Sequence, residues 1–302
     1  MSAPIKIDLE KAEPLGEGTA IPAGLKIRVR DRRFAHVSPN GKYWLAGDPV
    51  ATAWHTALSV AFPKGEAFFI DAVKAHRAGA PPKLDAEIRL FVRQEVNHTR
   101  EHLAFNRTAI ASGYDISMIE AQIDRRISRI RQRSPINNLA ATIMLEHLTA
   151  RIARETLANP AYMSGEIGPM AELWRWHAIE EIEHKGVAYD TWLHATRAWS
   201  RPARWLRKTV YGVIAAWNFL YGRIRETCDL LAQDDLRGWK WKARVFWYLF
   251  GSPGAIRRIL PGLAVFILPG FHPWKDGGAD RDLIGAYDSE YPDAVPTIPP
   301  AR

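Results

Sequence analysis

Residues 176–186, WHAIEEIEHKG, place Glu181 and His184 three positions apart in a stretch whose spacing predicts a helix. Three residues advance an α-helix by about 300°, so both side chains stand on one face, a turn apart, and can grip one metal ion together. Residues 93–102, RQEVNHTREH, repeat the pattern with Glu95 and His98. A single pair of this kind is a weak signal, because most are solvated. Two pairs on two helices, each preceded by an apolar helix bearing a glutamate, are a much stronger one. Those glutamates are Glu66, within FPKGEAFF (62–69), and Glu146, within TIMLEHLTA (142–150). Glu146 lies among Ile143, Met144, Leu145 and Leu148 and is expected to point inward. An unpaired carboxylate is costly there, and a metal ion removes the cost.

The order Glu66, Glu95/His98, Glu146, Glu181/His184 is that of a ferritin-like di-iron or di-manganese bundle: one Glu from each of two helices and Glu-x-x-His from each of the others. His177 precedes Glu181 by four and His184 by seven, so all three share a face. It is expected as a third histidine ligand, the alternative being a histidine that only orients one. Four carboxylates balance two divalent cations. The expected cofactor is therefore two metal ions, with iron favoured and manganese or zinc compatible with the charge. His102 shares the Glu95/His98 face and is expected to orient a ligand. Glu101, Glu180 and Glu183 point elsewhere on their helices, to solvent or behind a ligand. His147 is expected between helices, and Pro63 makes the register of His55 with Glu66 unreliable.

Outward from these motifs the chain reads as helices. The first is expected over 49–77, with Asp48 as N-cap, Pro49 in the first turn and a kink or break at Pro63. Others are expected over 85–112, 116–133, 137–158 and 166–197. No stretch alternates as a strand does. The fold class is all-α, a ferritin-like four-helix bundle with additional C-terminal helices. It divides into an N-terminal arm (1–33), a metal-binding bundle (34–198), a basic aromatic helical region packed on it (199–275) and a loose tail (276–302).

The 302 residues carry a net charge of +8, and it is clustered: residues 199–275 alone sum to +9 and hold seven of the twelve tryptophans. Two roles fit that region. It covers the bundle or forms a homodimer contact, or it makes a peripheral contact with an anionic inner membrane. Its apolar runs, 209–222 and 259–271, are short of the ~20 residues that span a bilayer. The single cysteine, Cys228, excludes a disulfide framework, and the first residues carry no secretory signal, so a cytoplasmic setting is expected. No nucleic-acid motif accompanies the basic stretches RRISRIRQR and RPARWLRK, so no nucleic-acid partner is expected. There is no phosphate-binding loop and no Gly-x-Ser-x-Gly elbow.

The segments HVSPNGKYWLAGDPVATAWHTALSVAFPKGEAFF (36–69), RQEVNHTREHLAFN (93–106) and WHAIEEIEHKGVAYD (176–190) resemble the bacterial family catalogued as predicted metal-dependent hydrolases, over roughly residues 34–275. That resemblance implies a metal site. The seven-residue pattern Glu66, Glu95, His98, Glu146, His177, Glu181 and His184 separately resembles that of bacterial di-iron arylamine N-oxygenases. Away from these positions there is little similarity, so arylamine substrates are not implied.

The favoured expectation is an O2-activating di-iron oxygenase or oxidase, acting on a small hydrophobic substrate with an external electron donor. The alternatives are a hydrolase with a metal-activated water and a non-enzymatic metal storage or sensing bundle.

Overall fold

Asp48 opens the first helix. Its side chain accepts hydrogen bonds from the backbone N–H groups of Val50 and Ala51 at 2.7 and 3.1 Å, and Pro49 has no N–H that needs a partner. The computed structural model describes residues 25–35, 41–163, 168–275 and 278–291, and among these there is helix but no strand. Helix α1 runs over Pro49–Lys74 without the break expected at Pro63. Proline removes the N–H that would bond the Ser59 carbonyl. That carbonyl instead accepts from Asn106 Nδ2, at 3.3 Å, on the neighbouring α2 (Pro82–Ala111). A side chain on another helix thus makes good the missing ladder bond.

Helices α3 (Ser117–Arg131) and α4 (Pro135–Ala158) follow as expected. The single helix expected over 166–197 is instead two, α5 (Pro169–His184) and α6 (Val187–Ala195), with residues 166 and 167 outside the described set. The break falls at Lys185 and Gly186. Trp274 packs so closely on Gly186 that a Cβ there would sit 2.5 Å from the indole nitrogen. Lys185 is held by Asp280 at 2.5 Å, its ammonium 4.3 Å from the Trp274 ring centre. A distant part of the chain therefore ends the helix directly after His184.

The C-terminal region comprises α7 (Arg201–Ala232), α8 (Trp239–Phe246), a π-helical turn (Trp247–Gly251), α9 (Ala255–Val265) and α10 (Gly278–Glu290). The last of these corrects the loose tail expected from 276. It packs on α4 and α5 and buries Tyr287 beside Trp176 and Ile179. The arm expected over 1–33 is described from residue 25. Residues 25–33 have no regular structure, yet Arg30 is fully buried. The rest of that arm, residues 36–40 of the following loop and most of the tail lie outside the described residues.

Helices α1, α2, α4 and α5 form the central bundle, with α1 against α2 and α4, and α5 against α4 and α2. Helix α7 lies across α1 and α4, and α9 covers α4. No helix among the described residues is long and apolar enough to cross a membrane.

The approach of α7 to the bundle depends on Gly212. A Cβ there would stand 2.6 Å from the Phe266 ring and 3.1 Å from Met144 Cβ. Gly212→Val is expected to destabilise the fold by about 1–3 kcal/mol through overpacking. The measurement is the urea midpoint, which should fall at unchanged slope.

Candidate metal centre

Each bundle helix delivers its glutamates or histidines to one space. Glu66 comes from α1, Glu95 and His98 from α2, Glu146 from α4, and His177, Glu181 and His184 from α5. All seven are buried. His184 Nε2 lies 3.3 Å from Glu95 Oε1, 3.4 Å from Glu181 Oε1 and 3.5 Å from Glu146 Oε2. His98 Nδ1 lies 3.6 Å from Glu181 Oε1 and 3.8 Å from Glu95 Oε2. His177 Nε2 lies 3.0 Å from Glu181 Oε1 and 4.0 Å from Glu66 Oε1.

These donors fall into overlapping sets close enough to hold an ion: Glu66/Glu95/His98, His98/His177/Glu181, Glu95/Glu181/His184 and Glu66/His102/His177. Glu146 joins none of these triplets and reaches the cluster through His184. Glu95 and Glu181 each occur in one set with His98 and in another with His184.

The histidine rings are oriented from behind. His98 Nε2 donates to Glu180 at 3.0 Å, His184 Nδ1 donates to Gln94 Oε1 at 2.9 Å, and His177 Nδ1 is bonded to His102 at 2.6 Å. The other nitrogen of each ring faces the carboxylates, the arrangement that metal-binding histidines require. His102 is held in turn by Ser59 Oγ at 2.9 Å. Glu180 and Glu183 are therefore not solvated; both are fully buried. Their counter-charge is Arg30, whose guanidinium bonds Glu183 at 2.7 Å and Asp288 at 2.9 Å, while its backbone N–H donates to Glu180 at 2.7 Å. Glu101 is likewise buried and bonded to Arg100 at 2.7 Å. His147 bonds the Gly262 carbonyl between helices, as expected. His55 bonds Ala51 within its own helix and stacks edge-on against Trp174, apart from the cluster.

Sequence reading did not find Gln94 or Arg30, and left Glu183 between solvent and a place behind a ligand. One signal was available for Glu183. On the helical wheel it falls between Trp176 and Ile179, so it could not face water without exposing both.

The electrostatics define what the cluster lacks within the protein. Burial, and then the neighbouring carboxylates, push the Glu66 and Glu146 carboxyls well above the ordinary range. Burial also raises Glu95. Burial opposes ionisation of Glu181 too, but His184 and His177 outweigh it and hold this carboxyl well below the ordinary range. Burial and the nearby His98 lower His177 to about 4. Both oxygens of Glu95 and of Glu146, Glu66 Oε1, His98 Nδ1 and His184 Nε2 have no hydrogen-bond partner. Buried polar atoms are otherwise nearly always satisfied. Seven such atoms converging from three carboxylates and two imidazoles fit a cation.

The described geometry agrees with the family to which the sequence matches. Residues 28–277 match the family described as "Predicted metal-dependent hydrolase". The chain belongs to that family. No curated protein and no solved structure matches it. The clustered carboxylates and histidines are a candidate metal-ion site, in line with that family description.

Two outcomes test the site. A carboxyl whose folded pKa is raised contributes stability that is present in acid and lost as pH rises through that pKa. Metal-free wild-type protein should therefore weaken, relative to metal-free Glu146→Gln, as pH rises above the ordinary glutamate range. The two should converge in acid; urea unfolding with a chelator present measures this. Gln94→Leu, which frees the His184 ring, should weaken metal affinity by about 10–100-fold. Competition with a chromophoric chelator reads that change.

Proposed function

We propose that the protein holds two metal ions, iron foremost, and is an oxidase or oxygenase that activates O2 for a small hydrophobic substrate. The observation that carries this reading is that Glu95 and Glu181 each join His98 in one ligand set and His184 in another. Glu66, His98 and His177 would serve one ion, Glu146 and His184 the other, with Glu95 and Glu181 common to both. The first ion is then the richer in nitrogen. Four carboxylates neutralise two divalent ions, which suits burial. Mixed carboxylate and imidazole donors suit iron or manganese.

When bound, an iron pair supplies O2 binding and electron transfer. The chain's own groups supply the setting. Phe62 lies with its ring centre 4.8 Å from that of His177, Phe91 lies 4.9 Å from His184 and Trp176 lies 5.0 Å from His98. These rings keep water from the ligands and limit competing reactions of a strong oxidant. Glu180, Gln94 and His102 hold the three ligand imidazoles in orientation. Electrons would come from an external donor.

The family description favours a second reading, hydrolysis. In that case the same carboxylates and histidines would hold two ions, which would supply an acidified water and polarisation of an ester, amide or phosphate. The two readings separate on metal analysis of natively purified protein. The expected result is iron, with an absorption change when reduced protein meets O2, and loss of both in Glu95→Ala. Redox-inert zinc with esterase or phosphatase turnover would overturn the oxygenase reading.

A further inference from the structure

Helix α7 is apolar on its outer side as well as on its inner one. Its buried line includes Lys208, Gly212, Ala215, Arg223, Glu226, Leu230 and Leu231. Its outer line is Leu206, Val210, Val213, Ile214, Trp217 and Tyr221, all exposed. At 100° per residue these six lie within an arc of about 100°, on the side of the helix opposite the bundle. Trp217 is 70% exposed, and its ring is stacked with that of Tyr221 at an interplanar angle of 12°. The apolar face continues onto a second element. Trp205 Nε1 donates to the Ile267 carbonyl at 2.8 Å, which fixes α7 beside the exposed Val265, Ile267 and Leu268.

Charge decides what this face fits. From Arg201 to Arg225 there is no acidic residue, and none from Leu236 to Lys275. Arg207 and Arg225 are exposed along one edge of the face, with Arg257 and Arg258 on α9. A surface helix normally presents charged and polar groups to water. Here aromatic and aliphatic groups face outward inside a border of cations. A second copy on this face would set cations against cations. An anionic headgroup layer meets both features: side chains enter the interface while arginines pair with lipid phosphates. The helix is not apolar enough to cross a bilayer, so it would lie in the surface plane.

We propose that the outer face of α7, together with Val265, Ile267 and Leu268, docks the protein on an anionic lipid surface. This does not depend on which metal the bundle holds. The test is flotation of the full chain with vesicles of phosphatidylcholine, alone or in equal parts with phosphatidylglycerol, at low and high ionic strength. Two double variants accompany it, Val213→Ser with Trp217→Ser and Arg207→Glu with Arg225→Glu. All four residues are exposed and stand apart from the metal cluster, so metal content and unfolding midpoint should stay at wild-type values. Wild type should float with the anionic vesicles at low ionic strength and be released at high. Each double variant should lower partitioning by about tenfold or more. No flotation at low ionic strength would overturn the proposal, as would equal flotation of the variants. So would a wild-type dimer in sedimentation that the Trp217 variant abolishes, because the face would then be a self-contact.

Discussion

Four carboxylates packed into one dry space repel each other, and the rest of the structure is arranged around that repulsion. Glu66, Glu95, Glu146 and Glu181 arrive on four different helices, so no single element can relax by turning its glutamate away without opening the bundle. Three imidazoles stand between them. Burial opposes charge on two of them, His98 and His184, but the neighbouring carboxylates raise both above the ordinary imidazole range. These two neutralise part of the charge, and a cation would answer the remainder.

A second buried charge system sits directly behind the first. Glu180 and Glu183 are fully buried on the far side of α5, and Arg30 answers both. Burial opposes the charge on this guanidinium, but Glu183 and Glu180 hold its pKa up. Glu180 in turn accepts from the His98 ring at 3.0 Å. Gln94 performs the same service for His184 while donating to the Arg28 carbonyl at 3.0 Å. The orientation of metal-facing nitrogens is thus set by an extended segment that has no secondary structure of its own.

The parts readable from sequence were those fixed by helical geometry. Glu95 with His98, and Glu181 with His184, share a face whatever the tertiary structure does, and the apolar neighbours of Glu146 settled its direction. Features decided by distant chain were not readable. The end of α5 is set by Trp274, and the continuity of α1 across Pro63 depends on Asn106. Arg30 lies in a polar segment with no periodicity, and its partners are some 150 residues away. Helix α10 has only Leu283, Ile284 and Tyr287 as an apolar pattern, too little to separate it from a loose tail.

The ion pair between Arg30 and Asp288 joins positions 258 residues apart. Closing a loop of that length carries an entropic cost that grows only slowly with its length, so a distant clasp costs little more than a near one. The clasp of residue 30 on α5 and α10 therefore ties both ends of the described chain to the helix that carries His177, Glu181 and His184.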